Sequence, residues 1–421
     1  MTKKTEWAIV ATLFVLVAAL CLAFQKPLTY HDGQGWDGVS YFQMAQSIAH
    51  HERPSAIGPF AFRLGTPALI AWLFPGSLLL GFKLINLAAC LLSTALLTLW
   101  LRRFIENPWL RLTLIAAYLT QWHAPLRFTA HYAAYTDPWL FVFVLGALLL
   151  SRPPDGTHPN PPGSPLMLRS EPPSLESREG RRSEERTKQG WVPLDRFEWR
   201  LVLLCFLGAL FREPVVAVPL ALFLVSRGRQ WLPLLGGILG VVATHLLSTQ
   251  TDSYSFARTV GQWAYNKPLP VYVHGLFIAF GPALVLPIYF WRKAAEWLKS
   301  QPVLAWTLAI FLVLGWVGGS DTERIVYWAM PIVYALFGAI LEAHALPKSF
   351  LITLAALQLL SQRVFQTLPD FPGPYPELWS YQASRGTQLM GLLLHVFAVA
   401  LLWGWLRQTK SRERNSLPAE D

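Results

Sequence analysis

The sequence predicts an all-α fold: a polytopic membrane helix bundle of about twelve transmembrane helices, with a long first outer loop carrying short interfacial helices. Three observations predict it. Of the 421 residues, 53% are hydrophobic and only 14% charged, against about 25% charged in ordinary soluble domains. Several apolar runs, among them Trp7–Phe24, Ser77–Leu101 and Trp231–Leu247, reach the roughly 20 residues that a hydrocarbon core about 30 Å thick requires. The alternating segments of a β-barrel are absent, so helices must satisfy the backbone within lipid.

The elements follow in order. Lys3 and Lys4 precede the first apolar run and place the N-terminus inside. The run is long for a signal peptide and the cleavage signal near Cys21–Ala23 is weak, so an uncleaved anchor over about 7–24 is expected. The first outer loop, 25–76, holds the densest polar chemistry. Within it, 39–51 can form an interfacial helix with Tyr41, Phe42, Met44 and Ile48 on its apolar side. The piece 67–74 is too short to span. Helices over about 77–101, 109–126 and 134–150 follow, the first of these ending at Arg102-Arg103.

The first 150 residues thus form an N-terminal transmembrane module. Residues 151–198 are rich in Pro, Glu, Ser and Arg and read as a disordered cytoplasmic loop. A C-terminal transmembrane module, 199–407, is expected to hold helices near 199–212, 214–226, 231–249, 272–291, 302–318, 325–343, 349–366 and 389–406. Its outer loops are 250–270, 318–324 and 366–387. A basic-acidic cytoplasmic tail, 408–421, closes the chain.

The net charge of +10 comes mostly from short basic clusters between apolar runs, the positive-inside pattern. It does not indicate nucleic-acid binding. Cys21, Cys90 and Cys205 lie in apolar runs without metal or disulfide spacing and read as small core residues. No phosphate-binding Gly-Lys-Ser/Thr loop, Gly-x-Ser-x-Gly elbow or His-Glu-x-x-His helix occurs. No cytoplasmic segment is large enough to bind a nucleotide, so an enzyme of this design would use an activated donor already in the membrane.

Acidic residues gather on the expected outer face. Asp32 and Asp37 sit among glycines just past the first helix. Such carboxylates can turn back into a cleft, one acting as general base or the pair holding a divalent cation, Mg or Mn. Equally, the segment can be a solvated turn capping the next helix. Arg63 can neutralise a lipid phosphate or simply snorkel. Arg212-Glu213 interrupts an apolar stretch, which is costly unless the pair is functional or structurally matched. Asp137 before Pro138 reads as an N-cap or a cleft residue. Asp321 and Glu323 suit a helix N-terminus, whereas Arg324 there does not. His31, His131 and His274 show no ligand spacing, and His50-His51 reads as solvated.

These residues carry a resemblance to the C-type glycosyltransferase superfamily, multi-spanning enzymes that use polyprenyl-phosphate sugars. Asp37-Gly38-Val39-Ser40-Tyr41 resembles the family's acidic step after helix 1. Phe62-Arg63 with Pro67 resembles its aromatic-Arg step, and Tyr135-Thr136-Asp137-Pro138 its Thr-Asp-Pro step. Arg212-Glu213 and Asp321–Arg324 are similar to later steps. The motifs are short and scattered over about 25–330. Asp32 and Asp37 stand five apart, where some families have an adjacent acidic pair.

The resemblance implies Asp37 as general base and Asp32 as a supporting carboxylate. It implies Arg63, Arg212 and Arg324 on the donor phosphate, with Tyr41, Asp137 and Glu213 in the substrate site. It further implies a polyprenyl-phosphate-linked sugar donor, an envelope glycan, lipid or protein acceptor, and a bacterial inner (plasma) membrane with the active face outward. The rival reading is a transporter or flippase of lipid-linked glycan. It predicts an internal repeat and charges at mid-membrane depth, and neither is evident in the sequence. A non-catalytic membrane scaffold of the same fold is the third.

Overall fold

The computed structural model describes residues 1–121, 123–151, 196–344, 346–363, 367–368 and 383–415. The expected disordered loop, most of the third outer loop and the end of the tail lie outside the described residues. The fold is all-α. Its only sheet among the described residues is a two-residue parallel pairing of β1 (Ser55–Ala56) with β2 (Thr249–Gln250).

The N-terminal half runs α1 (Lys3–Phe24), α2 (Asp37–Ala49), α3 (Gly65–Leu73), α4 (Leu78–Leu101), α5 (Pro108–Thr120), α6 (Pro125–His131) and α7 (Asp137–Leu150). The C-terminal half begins with α8 (Arg196–Phe211), α9 (Ala217–Val225), α10 (Leu232–Leu247), α11 (Phe256–Asn266), α12 (Leu269–Phe280) and α13 (Val285–Tyr289). It ends with α14 (Trp291–Ser300), α15 (Pro302–Val317), α16 (Thr322–Tyr327), α17 (Met330–Ala343), α18 (Lys348–Ser361) and α19 (Arg385–Asn415).

Among the described residues, four stretches are by themselves long and apolar enough to cross a membrane: Lys3–Phe24, Leu78–Leu101, Leu269–Tyr289 and Arg385–Gln408. The pair α14–α15, bent by 113°, makes a fifth if counted as one span. Six other apolar helices run only 10–17 residues. Proline and glycine account for much of this subdivision. The expected helix over 109–126 stops at Thr120 and resumes at Pro125, whose missing N–H suits a first helical position. The expected helix over 272–291 breaks at Gly281, where φ is +65° and the amide side chain of Gln358 fills the space a Cβ would need.

Two ends of the bundle differ in chemistry. At one, the buried Glu6 receives Arg111 at 2.7 Å and Arg102 at 3.1 Å. This ties α1 to the end of α4 and the start of α5. The other end carries α2, α3 and the acidic residues of the segment 25–76. Between them α4 spans 24 residues, roughly 36 Å at 1.5 Å per residue.

The segments 25–76 and 250–270 are stitched together. Besides the β1–β2 pairing, Asp252 accepts the Gly58 N–H at 2.8 Å, and Arg53 donates to the Leu246 carbonyl at 2.8 Å. Phe62 stacks on His245 at 3.7 Å. The first loop is thereby held over α10.

Helices α8 and α10 pack through glycines four residues apart. A Cβ on Gly240 would collide with the Phe206 carbonyl oxygen, and one on Gly236 would lie 2.6 Å from that of Val202. Small residues let membrane helices approach closely. Gly240→Ala is therefore expected to force the backbones apart and cost about 1–3 kcal/mol, typical of overpacking. Thermal unfolding in detergent would register the loss; an unchanged midpoint would show that the pair tolerates separation.

Candidate functional site

Seven of the eight residues singled out in the sequence converge at the end of the bundle that carries α2 and α3. The exception is Asp32. It lies in a left-handed run (His31 φ 49°, Asp32 φ 53°, Gly33 φ 84°) and is exposed. No ion pair joins it to the others among the described residues.

Asp37 opens α2, and Tyr41, one turn on, shares its face. The Tyr41 hydroxyl accepts from Arg63 Nη1 at 2.8 Å. Arg63, buried beneath the short helical turn Phe60–Phe62, also forms a bidentate pair with Glu213, Nη2 at 2.9 Å and Nε at 3.2 Å. Arg212 turns the other way and pairs with Asp137. Adjacent residues thus serve two different partners because α8 ends at Phe211 and the chain breaks into a 3-10 turn, Glu213–Val216, at Pro214.

Asp137 does not cap α7. The N-cap is Thr136, with no side-chain cap bond. Asp137 is instead 1% exposed in its side chain and is encircled. Tyr135 Oη donates to it at 2.6 Å, Trp328 Nε1 at 3.4 Å, and Arg324 Nε stands 3.7 Å away. Arg324 links the groups: its Nη2 pairs with Asp321 at 2.8 Å and its Nη1 lies 3.7 Å from Asp37. Asp321 makes no capping bond to α16, so its partner is the guanidinium rather than the helix terminus. Arg212 sits 5.5 Å over the Trp328 ring, and its Nε is buried without a hydrogen-bond partner.

The four carboxylates are not equivalent. Asp137 is sealed. Glu213 is 33% exposed but clamped by two nitrogens of Arg63. Asp321 is held at hydrogen-bond distance by Arg324. Asp37 is 28% exposed, with one ion pair at 3.7 Å, beyond hydrogen-bond range. Burial pushes its carboxyl above the usual aspartate range, against the pull of Arg324, and the charge of Asp321 pushes the same way. It is the one accessible and loosely held carboxylate of the four.

Trp328, Tyr135 and Asp321 complete the network. Position along the chain gave no signal for Trp328; Tyr135 stood only as the residue before the Thr-Asp-Pro step, and Asp321 read as a helix-end residue. Lys267, before α12, supports the same region. Its ammonium donates to Gly315 O at 2.7 Å, Gly319 O at 2.6 Å and Thr322 Oγ1 at 2.8 Å. It fastens the end of α15 to the helix that carries Arg324. Burial lowers its pKa to about 8, opposed by Glu323 and Asp321.

No three His, Cys, Asp or Glu side chains gather as a metal site among the described residues. Arg324 already bridges Asp37, Asp137 and Asp321. A guanidinium at that point fits an anion better than a divalent cation among these carboxylates. No family model, curated protein or solved structure matches the chain.

Proposed function

We propose that the chain is a polytopic glycosyltransferase of about twelve membrane segments, moving a sugar from a polyprenyl-phosphate donor to an acceptor on the non-cytoplasmic face of a bacterial plasma membrane. The observation that carries this reading is the pairing of one loosely held carboxylate, Asp37, with guanidiniums from distant segments. Arg324 touches it, and its charge is also felt by Arg63 and Arg212.

The chemistry asked of the site is an acyl-free substitution at an anomeric carbon. Asp37 takes the proton of an acceptor hydroxyl as the oxygen attacks that carbon. The bond from the carbon to the lipid-phosphate oxygen breaks, and the phosphate leaves with the electron pair. Arg324 would meet that growing negative charge, and the buried Arg212 would act on it through its field rather than by contact. Tyr41 and Glu213 hold Arg63 in place, and Asp137 orients Arg212 and Arg324.

The test is transfer itself. Purified protein in vesicles is incubated with a panel of radiolabelled polyprenyl-phosphate sugars and envelope glycan, lipid and protein acceptors. Label is expected to move from one donor to an acceptor with release of polyprenyl phosphate. Movement of intact lipid-linked glycan between leaflets without bond cleavage would identify a flippase. Neither outcome, from a folded sample, would leave the scaffold reading.

A further inference from the structure

The opposite end of the bundle holds a cavity of about 550 Å³ that the proposed reaction does not use. It lies between the end of α4, the amphipathic helix α14 and the last turn of α17. The 113° bend at Gln301 turns α14 nearly perpendicular to α15. If α15 crosses the bilayer, α14 lies along its surface.

The side chains agree with that attitude. Ala294 of α14 is buried, and Trp297 packs edge-on against Phe104 at 5.5 Å. Arg292, Lys293, Glu296 and Lys299 are exposed. Trp291 and Trp109, 61% and 66% exposed, are indoles of the kind that settle at headgroup level.

Two cations that border the cavity are exposed. Arg103 is exposed and makes no ion pair among the described residues; two of its nitrogens donate to the Leu148 and Leu149 carbonyls at the end of α7. Lys293 pairs only with Glu296, at 2.8 Å, with both side chains more than half exposed, an arrangement worth little and easily exchanged. The third cation, Arg102, is committed to Glu6. Three acids also line it: Glu342 is spent on the backbone N–H groups of Glu106 and Asn107, Glu296 is the partner of Lys293, and Glu106 is exposed. Phe104, Trp297 and Ile340 give the cavity an apolar wall.

We infer that this cavity binds the headgroup phosphate of an anionic phospholipid of the leaflet that α14 lies in, Arg103 and Lys293 contacting the phosphate and the apolar wall receiving the glycerol and upper acyl chain. A phosphodiester with an attached chain matches two cations beside an aromatic wall, and surface-lying basic helices favour anionic lipid.

The test uses the full chain in detergent, stripped of lipid and re-exposed to phosphatidylcholine with or without phosphatidylglycerol, with retained lipid read by native mass spectrometry. Phosphatidylglycerol should be retained about tenfold more tightly than phosphatidylcholine. Lys293→Gln combined with Arg103→Gln should abolish that preference; glutamine at 103 keeps a donor for Leu149, and Lys293→Gln alone should halve it or more. Arg292→Gln with Lys299→Gln, on the same helix but not lining the cavity, should leave it. Equal retention of both lipids overturns the proposal. So does an equal loss in the Arg292/Lys299 variant, which would mean diffuse surface charge. Equally tight binding of free glycerol 3-phosphate would mean a soluble-anion site and also overturns it. None of these readouts involves sugar transfer.

Discussion

Asp37→Asn should lower sugar transfer by at least about 10²-fold, the usual contribution of a general base, while the purified protein stays folded. The amide keeps the shape and loses the proton-accepting oxygen. Because burial raises the carboxyl's pKa, the acid limb of the wild-type pH–rate profile should lie above the ordinary aspartate range, and the residual activity of the variant should lack that limb.

The effect on stability has the opposite sign. A carboxyl whose pKa is raised on folding favours the protonated state in the fold. Its stabilising contribution is present below the unfolded pKa and is lost as pH rises through the folded one. At neutral pH the native protein therefore carries the cost of a charged Asp37, and Asp37→Asn should melt at the same temperature or higher. Near-full transfer by the variant would remove Asp37 from the chemistry. A folded variant with lost activity but an unmoved acid limb would assign the base elsewhere.

Asp137→Asn should instead unfold the site. The carboxylate is fully enclosed and answers Arg212, with Arg324 close by. Removing one partner of a buried pair leaves an uncompensated charge and costs about 3–5 kcal/mol. The loss should appear as a lower thermal midpoint and as a smaller monodisperse fraction after extraction. Asp137→Leu with Arg212→Met removes both charges and should recover much of the stability, because well-packed apolar substitutes for a buried pair are often neutral. It should not recover transfer. If the single variant is as stable as the native protein, the Arg212–Asp137 contact is not what holds α7 to the end of α8.

Much of the helical framework could be read from the chain. Apolar length located α1 and α4 to within a few residues, and the short piece near Pro67 emerged as α3. The breaks were less legible. Residues 325–343 read as one helix, yet the chain ends α16 at Tyr327 and restarts at Met330 before Pro331. Two amphipathic helices, α11 and α14, fell in segments read as loop and turn, because a search for continuous apolar runs passes over mixed faces. At the site, residue types were legible and partners were not. Arg212 and Glu213 are neighbours in sequence, but which acid or base each meets is decided by how α2, α3 and α7 pack against them. Asp32 and Asp37 looked alike in the chain. A left-handed turn sends the first to solvent and leaves the second at the start of α2.

The divergence of Arg212 and Glu213 also bears on biogenesis. Residues 1–150 carry Arg63 and Asp137, whose hydrogen-bonded counterions, Glu213 and Arg212, come some sixty positions after that module ends. An insertion intermediate that ends before that turn is expected to keep the two charges near water or against one another. The Arg212–Glu213 dipeptide then supplies both contacts, so docking of the two halves waits on the translation of two adjacent codons.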